Sequence, residues 1–214
     1  MLEKMLSQSR EPRGRFGRFL ARGMNLGHAG LTKWGLGFVE IAGDAQILDI
    51  GCGGGRTVKR LAGIASDGKV TGIDFSPDSV AVAVKKNGEL INRRRVEIFP
   101  ETVSSMSFSD GTFDLVTAFE SHYFWPDLPN DLKEIYRVMK QDGHLLIAGT
   151  VYKTGKFDRR NRRFVDAGGM TYLSIGEFRE ILEGAGFSEF DAHEELKKGW
   201  FAVKCIKKEG GSTD

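Results

Sequence analysis

The sequence predicts an α/β domain built on a doubly wound, mostly parallel sheet, and three observations support this. Short apolar segments alternate with segments of helical periodicity along most of the chain. The first apolar segment, 46–50, runs into Gly51 and three further glycines before a helix can begin. The last two apolar segments follow each other without a helix between them, so one of these strands must run antiparallel. Alternating strands and helices are typical of a parallel sheet with helices on both faces.

Each element follows from its local pattern. Pro77 suits the first turn of a helix, and Gly184 and Gly186 suit a helix end. Gln141-Asp142-Gly143 is expected to stop the helix before it. Apolar residues at helical spacing predict helices over 56–65, 77–90, 128–140 and 175–183. Short segments that alternate with these helices, most of them apolar, predict strands over 46–50, 69–74, 96–99, 113–119, 144–148, 187–193 and 200–207.

The chain divides into three parts. Residues 1–42 alternate arginines with apolar residues at roughly helical spacing, and we expect one or two short helices forming an N-terminal cap or lid over a ligand cleft. Residues 43–208 form the α/β domain. Residues 209–214 are expected to be a disordered tail.

Composition indicates an ordinary globular protein. The 214 residues carry a formal net charge of +2, with 40% hydrophobic and 28% charged residues. The two cysteines, Cys52 and Cys205, fall in a glycine loop and an apolar strand, so a reducing compartment is expected rather than a disulfide framework. No apolar run is long enough to span a bilayer, and no signal-peptide pattern is present. We therefore expect a cytoplasmic protein.

Two strands that each end near an acid suggest what the domain binds. Asp49 precedes the first glycines, and Asp74 ends the second strand. An acid at the second position can accept hydrogen bonds from ribose hydroxyls. A pyrophosphate prefers a helix N-terminus, and the Asp49 carboxylate would repel it. A ligand carrying an ammonium and a sulfonium would tolerate that carboxylate, which favours S-adenosylmethionine.

The chain resembles the class I S-adenosylmethionine-dependent methyltransferases, of the small-molecule type that includes the ubiquinone and menaquinone methyltransferases. The likeness covers roughly residues 43–207 and rests on five motifs in family order. The resemblance implies a Rossmann-like seven-stranded sheet with an antiparallel C-terminal hairpin strand, methyl transfer by in-line displacement, S-adenosylhomocysteine as product, and no metal. The motifs are Ile47-Leu48-Asp49-Ile50-Gly51-Cys52-Gly53-Gly54-Gly55, Val70-Thr71-Gly72-Ile73-Asp74, Phe113-Asp114-Leu115-Val116-Thr117-Ala118, the segment 132–145, and Glu183-Gly184-Ala185-Gly186-Phe187.

Residues of the first two motifs are expected to bind the cofactor. Asp49, with Gly51, Cys52 and Gly53, would hold the methionine end, and the Asp49 carboxylate would reach the ammonium directly or through water. Asp74 would accept from both ribose hydroxyls, with a helix-capping acid as the alternative. Phe75 would pack on adenine or in the core.

The adenine-binding positions depart from the family pattern. An acidic residue followed by a small one usually lies there, whereas this chain has Thr102 and Val103, with Glu101 just before them. Either Glu101 substitutes by a one-residue shift, or backbone groups near Val103 read adenine. Phe119 and Glu120, at the end of the fourth strand, match positions that meet the methionine portion.

The acceptor side depends on the segment after the fourth strand. His122 is the candidate general base, because its ordinary pKa lies near neutrality and open α/β sheets bind ligands at this edge. Its alternative role is to shape the pocket. His28 and Tyr152 are second candidates, whereas His144 and His193 are expected to be structural. An apolar acceptor pocket would be lined by Trp34, Tyr123, Phe124 and Trp125, with Trp200 packing on the sheet.

Two basic clusters leave other functions open. Arginines of residues 10–22 and of 159–163 could recruit an RNA or protein acceptor, or simply face solvent. The segment after the fourth strand lacks the Asn-Pro-Pro-Tyr tetrapeptide used for flat nitrogen acceptors, so we expect a small-molecule acceptor and no nucleic acid. A dinucleotide oxidoreductase is disfavoured because Arg56 lies where its fingerprint needs glycine. A non-catalytic S-adenosylmethionine-binding protein is the remaining alternative. For the oligomeric state we expect a monomer or a homodimer.

Overall fold

A computed structural model describes residues 29–208, which fold around one seven-stranded sheet. The central strands of this sheet are largely apolar and buried on both faces, as is typical of parallel sheets, whereas the strand over Phe187–Glu195 is mostly polar and has one buried residue. The strands are β1 (Gln46–Ile50), β2 (Lys69–Ile73), β3 (Val96–Phe99), β4 (Phe113–Phe119), β5 (Met139–Gly149), β6 (Phe187–Glu195) and β7 (Trp200–Lys207).

The strand order is β3-β2-β1-β4-β5-β7-β6. Strands β1 to β5 pair in parallel, with Asp49 of β1 beside Gly72 of β2 and Thr117 of β4. Strand β7 pairs antiparallel with both β5 and β6. The predicted mixed sheet with an antiparallel hairpin strand is confirmed.

Helices cover both faces of the sheet. Leu31, Val58, Leu61 and Ala83 pack in one core cluster, whereas Leu132, Ile135, Phe178 and Leu182 pack in the other. The doubly wound arrangement is therefore confirmed. The helices are α1 (Ala29–Gly35), α2 (Arg56–Ile64), α3 (Pro77–Asn92), α4 (Leu128–Val138), α5 (Asp158–Gly168) and α6 (Ile175–Gly184), with 3₁₀ turns at Leu36–Phe38 and His122–Phe124.

Local capping explains where several helices begin. The Ser76 hydroxyl accepts from the Ser79 amide at 3.3 Å at the start of α3. At the start of α6, Ser174 and Glu177 form a reciprocal capping box. These caps satisfy amides that have no partner within the helix.

The predicted end of one helix and the predicted start of the following strand were wrong. The helix predicted over 128–140 ends at Val138, because Met139 pairs with Phe113 and begins β5 five residues before the predicted start. Gln141-Asp142-Gly143 therefore lies within the strand, where Asp142 adopts a positive φ of 60°. Helix α5 was not predicted at all.

The predicted domain boundaries remain predictions. Helix α1 and the following 3₁₀ turn fall within the expected N-terminal cap of residues 1–42. Residues 1–28 of that cap, including His28 and the arginines of residues 10–22, lie outside the described residues, as does the predicted tail 209–214.

Candidate functional site

A cavity of about 250 Å³ opens at the carboxyl ends of β1, β2 and β4. Open parallel sheets place their ligands at this edge, beside the point where the strand order reverses. Helix α1 contributes Ala29 and Thr32 to the wall. The predicted cofactor residues that line the cavity are Gly51, Cys52, Gly53, Asp74, Phe75, Glu101, Thr102, Val103, Phe119 and Glu120.

The glycine loop is held by the end of β2. The Gly51 and Cys52 amides donate to the Ile73 carbonyl at 2.8 and 2.9 Å. The Gly53 amide donates to Oδ2 of Asp74 at 2.9 Å, and the Ser76 amide donates to Oδ1 at 2.9 Å. Loop and second acid therefore form one hydrogen-bonded unit.

Two glycines of the loop are required by close packing. Gly51 has φ 71°, and a Cβ there would lie 2.4 Å from Cβ of Ser121. Gly55 also has φ 71°, and a Cβ would lie 2.5 Å from Nδ2 of Asn87. That Asn87 amide donates to the carbonyls of Gly55 and Ala83, at 3.0 and 2.9 Å, and so ties the loop to α3.

Asp49 is buried directly beneath the cavity rather than lining it. Its Oδ1 accepts from the Thr117 hydroxyl at 2.8 Å, while Oδ2 has no hydrogen-bond partner among the described residues. Burial raises the pKa of Asp49 to about 7, with the nearby Asp74 charge adding a smaller increase. The carboxyl group is therefore poised to lose its proton when a cation approaches.

Asp74 and Phe75 lie side by side at the cavity. Burial raises the pKa of Asp74, although the Ser76 and Gly53 amides oppose the increase. Phe75 is 41% exposed, so its ring presents an uncovered face at the cavity. A large exposed aromatic side chain at a pocket suits stacking on a flat ligand group.

The three residues considered for adenine binding all line the cavity. Both oxygens of Glu101 accept from Ser107, one from the hydroxyl at 2.5 Å and one from the amide at 3.2 Å. These bonds fix the carboxylate at the rim. Val103 is buried, and its backbone follows the Thr102 bridge to Ser105.

Glu120 turns the chain after β4 with a positive φ of 57°. Its Oε2 accepts from the Tyr123 hydroxyl and, at 3.2 Å, from the Thr150 hydroxyl. Its Oε1 is buried and has no partner among the described residues. Burial raises the pKa of Tyr123 well above its ordinary value, so its hydroxyl keeps the proton that it donates.

His122 does not reach the cavity. Its side chain is 1% exposed and packs edge-on against Tyr123, Trp125, Phe178 and Phe201. Burial lowers its pKa to about 3, and Nδ1 has no partner among the described residues. The imidazole is therefore not among the groups that line the cavity, and its role as a general base stays a prediction.

The other acceptor-side residues divide between the cavity and the core. Phe124 and Trp125 line the cavity with Pro126, whereas Trp34 packs against Trp200. Tyr152 is fully buried, with its hydroxyl 2.8 Å from Glu194.

The two remaining histidines lie on strands away from the cavity. His193 stacks on Phe38 at 3.7 Å between ring centroids, in keeping with a structural role. His144 lies in β5, beside Ile206 of β7.

Sequence reasoning missed several cavity residues. Thr57 and Arg60 lie in α2, directly after the glycine loop, and Arg60 also donates to the Ala29 carbonyl at 3.1 Å. Their position in the first turns after a ligand-binding loop was the available signal. No comparable sequence signal pointed to Ser121. Its hydroxyl donates to the Ile50 carbonyl at 2.8 Å.

Within residues 29–208, no three His, Cys, Asp or Glu side chains cluster so as to hold a metal ion. Cys52 and Cys205 are both buried free thiols. None of the helices between residues 29 and 208 combines the length and apolarity needed to cross a bilayer.

Comparisons with known proteins agree with this geometry. The methyltransferase domain family matches residues 48–147. Demethylmenaquinone methyltransferase of Lactococcus lactis is 30% identical over 177 residues, covering 78% of this chain and 70% of that protein. Sterol 4-C-methyltransferase of Caenorhabditis elegans is 30% identical over 124 residues, covering 58% of this chain and 36% of that protein.

A solved methyltransferase structure shares the fold. The S-adenosylmethionine-dependent methyltransferase of Aquifex aeolicus superposes with a TM-score of 0.71 at 20% identity, covering 96% of this chain and 98% of that one. The first curated relatives are longer proteins, since the chain spans only 36% and 54% of their lengths. The family match and the shared fold agree, and the Lactococcus lactis relative is covered over more than two thirds of its length. The chain therefore belongs to the class I S-adenosylmethionine-dependent methyltransferases.

Proposed function

We propose that this protein transfers a methyl group from S-adenosylmethionine to a small, partly apolar molecule. The observation that carries the proposal is one cavity lined by all the expected cofactor residues except Asp49, which lies just beneath it. The names of two relatives, acting on a sterol and on demethylmenaquinone, support an apolar acceptor.

Two buried carboxylate oxygens without partners fit a cationic cofactor. Oδ2 of Asp49 and Oε1 of Glu120 each lack a hydrogen-bond donor, and an unsatisfied buried polar atom costs about 1–3 kcal/mol. A ligand carrying positive charge would relieve that cost, whereas a pyrophosphate would increase it. We assign the ammonium and sulfonium end of the cofactor to this side of the cavity, with Glu120 at the wall and Asp49 acting from below.

The adenosine end fits the opposite residues. Each oxygen of Asp74 accepts one amide, and the Ser79 hydroxyl also donates to this carboxylate, which leaves lone-pair capacity for a ribose hydroxyl. The exposed ring of Phe75 offers a stacking surface for adenine. Glu101 and the backbone near Val103 both remain candidates for reading the adenine edge.

The acceptor half needs orientation more than acid or base strength. When bound, S-adenosylmethionine supplies a methyl group on a sulfonium, already activated for in-line displacement. The chain's part is to position the acceptor and exclude water. Phe119, Phe124 and Trp125 make that part of the wall apolar. Glu120 belongs to this wall, whereas His122 is not among the residues that line the cavity.

Titration calorimetry tests the cofactor assignment. S-adenosylmethionine and S-adenosylhomocysteine should bind, and NAD should not. Asp74→Asn should weaken binding, because the new side-chain amide group would face the Gly53 or Ser76 N–H donor. Asp44→Asn should not weaken binding, because Asp44 lies just before the amino end of β1, away from the cavity. Preference for NAD would refute the proposal.

A second measurement distinguishes an enzyme from a binding protein. The protein is incubated with methyl-labelled cofactor and either a cell lipid extract, a water-soluble metabolite extract, RNA or cell protein. Label in the lipid or metabolite fraction supports the proposal. Label in RNA or in protein would refute a small-molecule acceptor and identify a macromolecular one. Cofactor binding without transfer to any fraction would indicate a sensor.

We also propose that the protein works in the cytoplasm as a monomer or a homodimer. The two buried free thiols support a reducing compartment. Light scattering at several concentrations would establish the oligomeric state.

A further inference from the structure

A cluster of basic side chains lies outside the cavity and has no part in the proposed chemistry. Phe157, at the start of α5, contacts the turn between β6 and β7, where a Cβ on Gly199 would lie 2.7 Å from its ring. This contact joins the basic residues of both segments into one surface. The basic surface consists of Lys156, Arg159, Arg160, Arg162, Arg163, Lys197 and Lys198, all exposed.

The packing of α5 directs its arginines outward. Asn161 is fully buried, and its amide donates to the Tyr152 carbonyl at 3.0 Å. Asp158 is held by the Thr154 amide and by the Tyr172 hydroxyl, at 2.9 and 2.7 Å. At about 100° per residue, Arg159 and Arg163 lie opposite Asn161, and Arg160 and Arg162 lie on its two flanks.

The charge of this surface is not balanced locally. Within residues 29–208, none of the seven basic side chains forms an ion pair with an acid. The acids of the same segments are Asp158, Asp166, Glu194 and Glu195, and both Asp158 and Glu194 already accept from their neighbours. Seven basic groups against four acids fit a polyanionic partner.

An exposed apolar side chain indicates the kind of polyanion. Leu196 is 55% exposed at the tip of the β6–β7 turn, directly before the two lysines. Surfaces that bind RNA usually present aromatic rings for stacking, but Phe157 is half-buried, with Arg160 over its ring at 4.6 Å. A protruding leucine among basic residues matches a bilayer interface instead.

The basic surface adjoins the rim of the cavity on two sides. The Thr171 amide, shortly after α5, donates at 2.9 Å to the Tyr123 carbonyl in the turn that precedes Phe124 and Trp125. On the other side, Trp200 packs against Gly30 of α1, and the α1 residues Ala29 and Thr32 line the cavity. A partner bound to this surface would therefore lie next to the acceptor end.

We propose that the basic surface docks this protein on a membrane containing anionic phospholipids, with Leu196 entering the headgroup region. The interaction is peripheral and reversible, because charges and one leucine supply it. Resting on the proposed function, docking would also bring the cavity to an apolar acceptor dissolved in the bilayer.

Vesicle sedimentation tests this docking. The protein should bind vesicles of phosphatidylcholine with about 30 mol% phosphatidylglycerol but not pure phosphatidylcholine, and about 0.5 M NaCl should release it. The double variant Arg159→Gln, Arg163→Gln should bind about 30-fold more weakly, since each basic residue contributes about a factor of five. Leu196→Ser should weaken binding severalfold while the salt dependence stays the same.

The matched control is Lys85→Gln, Lys86→Gln on α3, which removes the same charge from two other exposed lysines. This control should bind vesicles as tightly as the parent does. If it were weakened as much as the arginine double variant, binding through one defined surface would be refuted. Absence of vesicle binding, or tighter salt-dependent binding to an RNA oligonucleotide than to vesicles, would also refute the proposal. Calorimetry with S-adenosylhomocysteine on the same variants should show unchanged affinity, so loss of docking and loss of the cofactor assignment are told apart.

Discussion

The Gly53 amide donates a 2.9 Å hydrogen bond to Oδ2 of Asp74, which joins the glycine loop after β1 to the acid after β2. The two motifs are 21 residues apart in the chain yet form one rigid edge of the cavity. Loss of either partner is therefore expected to affect both the fold of the loop and the binding of ligand.

Replacing Asp74 with alanine should weaken S-adenosylhomocysteine binding about 10- to 100-fold, since hydrogen bonds to a charged group contribute about 1.5–3 kcal/mol. The melting temperature should also fall, because the Gly53 and Ser76 amides lose their acceptor. Calorimetry and thermal unfolding measure the two effects. Asp44→Asn is the control, and unchanged affinity in Asp74→Ala would contradict the ribose assignment.

Cofactor affinity should rise with pH through the titration of Asp49. Its pKa of about 7 in the free protein must fall when a cation binds, so binding releases a proton and strengthens as pH increases towards 8, at most about tenfold per unit below the pKa. Calorimetry between pH 6 and pH 8 measures this slope. Asp49→Asn should flatten it, and an equal slope in that variant would contradict the assignment.

The stability of the unliganded protein should change in the opposite direction. Because folding raises the pKa of Asp49 from 3.8 to about 7, the native state holds a proton that the unfolded chain has lost between these values. The contribution of Asp49 to the free energy of unfolding is therefore full below about pH 4 and is lost as the pH rises through 7. Denaturant unfolding of the parent and of Asp49→Asn should diverge over this range.

Gly51 and Gly53 offer a matched pair of alanine substitutions. At Gly53 a Cβ would meet no atom within 4 Å, so only the positive φ of 51° is strained, at a cost of about 1–2 kcal/mol. At Gly51 the Cβ would also collide with Ser121. Gly51→Ala should therefore lower stability more, whereas Gly53→Ala should mainly lower cofactor affinity by narrowing the cavity. Unfolding curves and calorimetry on both variants would show whether this order holds.

His122→Leu should leave cofactor affinity unchanged and reduce sensitivity to acid. Folding lowers the pKa of His122 from 6.5 to about 3, so the unfolded chain takes up a proton between these values and stability falls as the pH decreases. The variant should lose less stability than the parent between pH 7 and pH 4. If methyl transfer were abolished with affinity intact, a base role for His122 would be restored.

The sequence predicted the sheet well and the insertions poorly. Four strands, 46–50, 96–99, 113–119 and 200–207, match the structure residue for residue, because buried strands are short apolar runs with sharp polar ends. Helix α5 carries four arginines and few apolar residues, and tertiary bonds such as that of Asn161 hold it in place. Periodicity cannot detect a helix of that kind.

The cofactor side of the site was likewise more predictable than the acceptor side. Glycines and acids at strand ends have positions fixed by the parallel sheet. His122 instead follows a turn in which Glu120 has a positive φ, and its side chain is buried in the core. Neither that turn nor the resulting fall in pKa is visible in the residue types.

The bridge that Asn87 makes between the glycine loop and α3 has a consequence for engineering. Helix and loop cannot be exchanged independently between homologues, because a graft of either one would leave an amide or a carbonyl unmatched at the junction. Attempts to alter cofactor preference in this scaffold should therefore transplant the two segments together.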